Sequence, residues 1–241
     1  MKDYIVRKMK LEESSLVKRL YQSGFDDESS DLAFEYKIID DESCYVLQNG
    51  ANIIGMVVAI PCSYKGERGH QAFALTIDSK FRGKHLGLYL LDEMVKDRKA
   101  AGDKFSIMLP AYDNLYDYYS KLGYNAIAAT SKIISQNENI ICNNDLVEYA
   151  DNFKKYCLQS AICNGSYIQK APCIICTTYD VDSEIYTIFD CYPDICGNII
   201  YTLKFKSKIY LPDNNGKEKF GMIKNLDKTN RNGIFPWLTN K

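Results

Sequence analysis

The sequence predicts an α/β fold, a mixed sheet with helices on its faces, and three observations carry that reading. Residues 43–61 form two alternating apolar runs around Asn49-Gly50, residues 86–101 carry a long amphipathic helical pattern, and strand-like and helical segments alternate around them. The order expected over the first 134 residues is α-α-β-β-β-α-β-α-β. The polar, Asn-rich stretch Ser135–Asp145 marks a boundary. We therefore expect one domain over residues 1–138 and a smaller C-terminal α+β domain over residues 139–241.

Each element has a local cause. Leu16, Val17, Leu20 and Tyr21 stand at helical spacing within Leu11–Gly24, and Gly24 stops that helix. Asp31–Ile39 reads as a second short helix. Ser43–Gln48 alternates, Asn49-Gly50 is a hairpin turn, and Ile53–Pro61 is the returning strand. A polar loop over Lys65–Gly69 leads to a strand over His70–Asp78. The strongest helix is Leu86–Ala101, with Leu90, Leu91, Met94 and Val95 on one face and Gly102 just past its end. Phe105–Leu109 is a short strand, Asn114–Leu122 a helix closed by Gly123, and Ala126–Ile134 a further strand. Beyond the boundary, Leu146–Ile162 reads as a helix. Three β-rich runs follow: Cys173–Thr178, Glu184–Tyr192 and Asn198–Leu211.

Composition excludes several classes. The chain has 241 residues, 46% of them hydrophobic and 25% charged, which suits a folded globule. Its 30 Lys and Arg nearly balance 31 Asp and Glu, so nothing points to nucleic acid as the main partner. No signal-peptide pattern follows Met1, and the longest apolar run, Ile53–Pro61, is too short to span a bilayer. We expect a soluble, cytoplasmic protein with no membrane partner. Seven of the nine cysteines lie after residue 140, and in that compartment they should be thiols. Cys173 and Cys176 have a CxxC spacing inside a strand-like run. The only histidines, His70 and His85, are distant in sequence, so no metal is expected. A cysteine-based metal or redox protein is the rival reading from another class.

The chemistry concentrates in Ala74–Leu91, a strand, a short turn of small and basic residues, and the start of the strongest helix. A helix N-terminus presents unpaired N–H groups and the positive end of a dipole, which together bind phosphate. Arg82 and Lys84 add positive charge, and Gly83 and Gly87 let an anion approach the backbone. The alternative is a surface turn with solvated basic residues.

The run Arg82-Gly83-Lys84-His85-Leu86-Gly87 resembles the coenzyme A signature of the GNAT superfamily of N-acetyltransferases, Arg/Gln-x-x-Gly-x-Gly/Ala. About thirty residues on, Tyr119-Ser120-Lys121-Leu122-Gly123-Tyr124 resembles that family's Tyr-x-x-x-Gly-Phe/Tyr helix ending. Met108-Leu109-Pro110-Ala111 is similar to the branch that holds the enhanced-intracellular-survival-like, two-domain bacterial acetyltransferases. Phe220-Gly221-Met222-Ile223 resembles the closing strand of some two-domain members. The resemblance implies a GNAT-type, mixed and mostly antiparallel sheet flanked by helices. It implies acetyl-CoA as cosubstrate and a primary amine, on a small molecule or a peptide, as acceptor. Leu86 and Leu88 complete the phosphate-binding stretch with residues 82–85 and 87, and the backbone of Leu75, Thr76 and Ile77 would pair with the pantetheine arm.

The sequence departs from the signature at two places. His85 replaces the first glycine and crowds the loop unless its side chain points outward, and Ser79 stands where a Pro is frequent. By the resemblance Tyr119 is the general acid toward the departing CoA thiolate, with Tyr118 as the neighbouring alternative. The general base stays open among His70, a solvent relay and, by analogy with the two-domain branch, a C-terminal carboxylate anchored by Pro236-Trp237-Leu238. A catalytically degenerate acyl-CoA-binding or interaction module is the rival reading within the same fold.

Overall fold

A computed structural model of the protein describes residues 4–25, 42–64, 67–134, 139–142, 148–149, 174–180, 185–192, 199–202, 207–212 and 215–227. The chain divides into two compact units. One comprises residues 1–61, 67–124 and 223–227, and the other residues 62–66, 125–222 and 228–241.

The first unit is a sheet in the order β1 (Tyr4–Lys8), β2 (Cys44–Asn49), β3 (Asn52–Tyr64), β4 (Glu67–Ile77), β5 (Phe105–Met108). β1 pairs antiparallel with β2, and β2 with β3. Asn49 pairs with Asn52 across a two-residue turn in which Gly50 takes φ +57°, a conformation that costs glycine nothing. Cys44, Tyr45, Val46 and Leu47 are all buried, so β2 is covered on both faces, which its unbroken apolar run requires. β5 runs parallel to β4, with His70 opposite Ser106. A parallel pair needs a crossover, and the helix α2 (Leu86–Ala100) supplies it.

Helices lie on both faces of β4. A 3₁₀ turn, Leu11–Glu13, leads into α1 (Ser14–Gly24), which buries Val17, Leu20 and Tyr21. At Gly24 a Cβ would meet the Thr76 side chain at 2.4 Å, so α1 packs on the Thr76 face. At Gly87 a Cβ would lie 3.7 Å from both Leu75 and Ile77, which places α2 on the opposite face. Buried Leu86, Leu90, Leu91, Met94 and Val95 form the apolar stripe of α2, while Lys96 pairs outward with Asp92 and Glu93 at 2.8 and 2.7 Å.

The far end of α2 is closed twice. The Asp103 N–H donates to Arg98 O and the Gly102 N–H to Lys99 O, both at 3.0 Å, with Gly102 at φ +101°, a Schellman ending. The buried Asp103 carboxylate then accepts from Arg98 Nε at 2.9 Å and Nη2 at 3.0 Å, from Arg68 Nε at 3.1 Å and from His70 Nδ1 at 2.8 Å. Burial pushes the Asp103 pKa up, but hydrogen bonds from His70 and Arg98 outweigh it and hold the group at about 2, below the ordinary 3.8. Burial lowers the pKa of the fully enclosed His70, with its Asp103 bond opposing. His70 is therefore the neutral tautomer with its proton on Nδ1.

The short α3 (Asn114–Ser120) follows β5, and Gly123 at φ +81° ends that segment. Buried Tyr124 then ties it to the sheet through a 2.6 Å hydrogen bond with Ser106 on β5.

In the second unit β6 (Asn125–Ile134) pairs antiparallel with β12 (Ser207–Pro212). β12 runs parallel to β10 (Ile185–Tyr192), and β10 antiparallel to β9 (Ile174–Asp180). β7 (Asn139–Cys142) and β11 (Ile199–Thr202) form a separate antiparallel pair. β8 (Glu148–Tyr149) pairs with Ser63 and Cys62. β13 (Glu218–Asn225), whose residues from Ile223 on belong to the first unit, covers the run Phe220–Ile223 singled out in the sequence.

Several local expectations change. The chain opens on a strand, β1, where a helix was expected first, and the strand expected from His70 begins at Glu67. The single run Asn198–Leu211 contains two strands with different partners. Within the expected helix Leu146–Ile162, Glu148–Tyr149 is a strand, and the rest of it lies outside the described residues, as does Asp31–Ile39. The expected boundary at Ser135–Asp145 also lies outside them apart from β7. Cys44 and Cys62 are buried thiols, whereas Cys173 lies outside the described residues.

Asp103→Asn should lower unfolding free energy by about 3 kcal/mol, since it strips the counter-charge from a nearly buried Arg98. Unfolded histidine takes a proton below about pH 6.5 that folded His70 refuses, so stability falls as pH drops through that value. The depressed Asp103 adds a further loss as pH falls from about 4 to 2, and this second limb should be missing in Asp103→Asn. Urea titrations from pH 8 to 2 check both expectations.

Candidate active site

The β4–β5 ladder ends at Gln71–Ile107, and β4 continues beyond it through Ala72–Ile77. Within this stretch Ala74 takes φ +55°, an unusual value for a residue with a side chain, and it redirects the strand. Thr76 turns its hydroxyl back to Ala74 O at 3.3 Å. Leu75 and Ile77 are half-buried on the α2 face.

A tight loop follows. Asp78 Oδ1 accepts the Lys80 N–H at 3.0 Å and starts a 3₁₀ turn over Ser79–Phe81. The Arg82 Nε folds back to donate to Ile77 O at 2.8 Å, which holds its guanidinium at the end of β4. Gly83 takes φ +78° with nothing near its missing side chain. The Lys84 ammonium lies 5.8 Å from the Phe81 ring centre. His85 is the N-cap of α2 at φ +58°, exposed and without a side-chain cap. That left-handed conformation explains why a glycine suits this position, and His is among the side chains that tolerate it best. Its ring points outward, the one arrangement that leaves the loop uncrowded.

The first helical bond of α2 runs from the Tyr89 N–H to His85 O at 3.2 Å. The N–H groups of Leu86, Gly87 and Leu88 precede it and have no intrahelical acceptor. The Tyr118 hydroxyl lies beside this helix start. A Cβ at Gly87 would sit 3.0 Å from that hydroxyl. The sequence therefore brings Leu75, Ile77, Arg82, Gly83, Lys84, His85, Leu86, Gly87 and Leu88 around one end of β4, with Thr76 on the other face of the strand. Tyr118 joins them from α3, and no local pattern in the sequence reveals that contact.

Tyr119 stands beside Tyr118, ring centres 5.2 Å apart and edge to face. Burial first, and the neighbouring Tyr118 second, push its pKa up to about 12, so it keeps its proton at neutral pH. His70 is no part of this site. It sits seven residues, roughly 23 Å of strand, before Ile77, and its Nδ1 is engaged with Asp103 at the opposite end of α2. Pro236-Trp237-Leu238 lies outside the described residues. A separate concavity of about 370 Å³ is lined by Val6, Arg7, Lys8, Tyr45, Glu93, Lys96 and Asp97, with Arg7 and Lys96 already in ion pairs.

Residues 12–124 match the acetyltransferase (GNAT) family, a segment that ends where the first unit passes to the second. The chain is also similar to the solved GCN5-related N-acetyltransferase from Anabaena variabilis, at 13% identity and a TM-score of 0.59, over 93% of this chain and 73% of that one. It is similar to Eis1 from Mycobacterium abscessus at 8% identity and a TM-score of 0.58, over 93% and 74%. The GCN5-related N-acetyltransferase from Kribbella flavida gives 11% and 0.57, over 93% and 72%. No curated protein matches the chain. The fold is the GNAT fold, a mixed and mostly antiparallel sheet flanked by helices. Among the described residues no helix is long and apolar enough to cross a membrane.

His85→Gly should remove the cost of a left-handed side-chain-bearing residue, about 1 kcal/mol, and raise the melting temperature by a few degrees. A calorimetric scan of both proteins is the check.

Proposed function

We propose that this protein is an N-acetyltransferase that moves the acetyl group of acetyl-CoA to a primary amine by direct attack. One observation carries the reading: the N–H-rich start of α2 and the Arg82–Leu88 loop converge with the β5-free side of Ala72–Ile77 and with the α3 tyrosines. The cofactor diphosphate would lie over the N–H groups of Gly83, Lys84, His85, Leu86, Gly87 and Leu88, with Arg82 and Lys84 supplying charge. The backbone of Leu75, Thr76 and Ile77 would pair with the amides of the pantetheine arm, which completes the strand as a short peptide would.

In the reaction the neutral amine attacks the thioester carbonyl, the C–N bond forms, and the C–S bond breaks as the tetrahedral intermediate collapses. The amine proton leaves to solvent or to a base, and the CoA thiolate departs. Tyr119 is the general acid for that thiolate. A phenol near 12 is a weaker acid than a thiol near 8.5, so its main contribution is a hydrogen bond to sulfur as charge develops. The domain responsible is residues 1–138, with residues 139–241 as an accessory α+β domain. Acceptor choice would rest on loops outside this arrangement, and a small-molecule or peptide amine fits the mechanism equally. The likeness to Eis1 supports a place in the enhanced-intracellular-survival-like branch.

Arg82→Glu should raise the Kd for CoA well over tenfold, about 1.4 kcal/mol or more, by titration calorimetry. An unchanged Kd in the folded variant overturns the loop assignment. Tyr119→Phe should lower kcat about 10²-fold with CoA affinity little changed. The exposed Tyr112, replaced by Phe, should behave as wild type in the same thiol-release assay. Full activity of Tyr119→Phe removes it as the acid. CoA binding without turnover on any amine favours the degenerate module.

A further inference from the structure

With seven residues and no side-chain cap at Asp113, α3 is too short to hold its own shape, so contacts with the rest of the unit fix it. Buried Tyr116 supplies one of them. Another lies just past the helix end. The Leu122 N–H donates to Tyr119 O at 3.0 Å and the Gly123 N–H to Ser120 O at 2.9 Å. Gly123, at φ +81°, then turns the chain into Tyr124. Tyr119 and Tyr124 are thus the two ends of one closed turn.

Tyr124 is buried, and its hydroxyl shares a 2.6 Å hydrogen bond with the hydroxyl of Ser106, which is buried as well. Ser106 stands opposite His70, one rung before the β4–β5 ladder ends at Gln71–Ile107. The bond therefore links the turn behind Tyr119 to the last paired part of the two strands. The ring is held separately: the Lys224 ammonium lies 5.8 Å from its centre and 4.0 Å from Asp92 Oδ1 on α2. A phenylalanine would fill the same space and keep that contact. Two buried hydroxyls that satisfy each other add little net stability over two apolar groups of the same shape. What the pair supplies beyond packing is direction.

We propose that Ser106 and Tyr124 are a positioning pair, their hydrogen bond fixing the α3 turn so that the Tyr119 hydroxyl stays directed at the thioester sulfur. The inference rests on the acetyltransferase reading with Tyr119 as its acid, and both residues act through Tyr119. A displacement of about 1 Å at a reacting group costs up to about 10²-fold in rate. Here it cannot cost more than removal of the Tyr119 hydroxyl itself.

The test compares wild type with Tyr124→Phe, Ser106→Ala, their double variant, Tyr119→Phe and Tyr119→Phe/Tyr124→Phe. Each of the first two leaves one buried hydroxyl unpartnered and should lower the melting temperature, whereas their double variant removes both and should regain most of that loss. Turnover should not follow stability. It should fall about tenfold in Tyr124→Phe and stay down in the double variant, with the CoA Kd within twofold of wild type by calorimetry. A merely structural pair would recover activity and stability together. In the Tyr119→Phe background, Tyr124→Phe should cost no further activity. Ring-¹³C tyrosine spectra of the CoA complex need no acceptor: the Tyr119 signal, assigned by its loss in Tyr119→Phe, should move more in the double variant than that of Tyr116. Wild-type kcat in the double variant, or an unmoved Tyr119 signal, overturns the positioning role and leaves the acetyltransferase reading standing. Full activity of Tyr119→Phe overturns the acid and the pair's role with it.

Discussion

A single buried carboxylate sets the frame of the first unit. Asp103 is 2% exposed and accepts from three side chains on two elements, β4 and α2. A carboxylate in that position is tolerable only because its partners are charged or aimed, and Arg98 in turn is tolerable only beside Asp103. The cluster pins the C-terminus of α2 to the start of β4. α2 rises about 22 Å over its fifteen residues and β4 is a continuous strand, so fixing one end of each fixes the other. The start of α2 and the end of β4 therefore meet across the short Asp78–His85 loop.

At that meeting point the backbone accepts strain. Ala74 and His85 carry side chains at positive φ within twelve residues of each other, and Gly83 lies between them. Conformations of this kind persist where surrounding structure determines them, and they gather at functional sites. Here each has a consequence. Ala74 redirects β4 beyond the end of its β5 ladder, and His85 turns the chain so that three N–H groups face one space. Arg82, folded onto Ile77 O, joins the strand end to the loop.

Elements defined by local periodicity were legible in the sequence. Leu90, Leu91, Met94 and Val95 announced α2, and Asn49-Gly50 announced the β2–β3 hairpin. The strand–loop–helix order around Arg82–Gly87 was legible too, because such a loop is written in consecutive residues. What escaped depends on distant partners. β1 is five residues, too short for a pattern, and exists because β2 pairs with it. Glu148–Tyr149 is drawn into a strand by Ser63 and Cys62, against a helical reading of the same residues. Ala74 has no sequence signal for a left-handed conformation. His70, read as one candidate base, belongs instead to the Asp103 cluster, and only the position of residue 103 in space decides that. The place of Tyr118 beside the start of α2 escaped for the same reason: its neighbour Gly87 lies about thirty residues earlier.

The central claim is that the start of α2 and the end of β4 together hold the diphosphate and arm of CoA. The most direct measurement is a titration of uniformly ¹⁵N-labelled protein with CoA, followed by amide shifts. The account predicts the largest changes at residues 83–88, with a second group at residues 75–77. Changes centred on the Val6–Lys8 and Tyr45 concavity, with residues 83–88 unmoved at saturation, would contradict it.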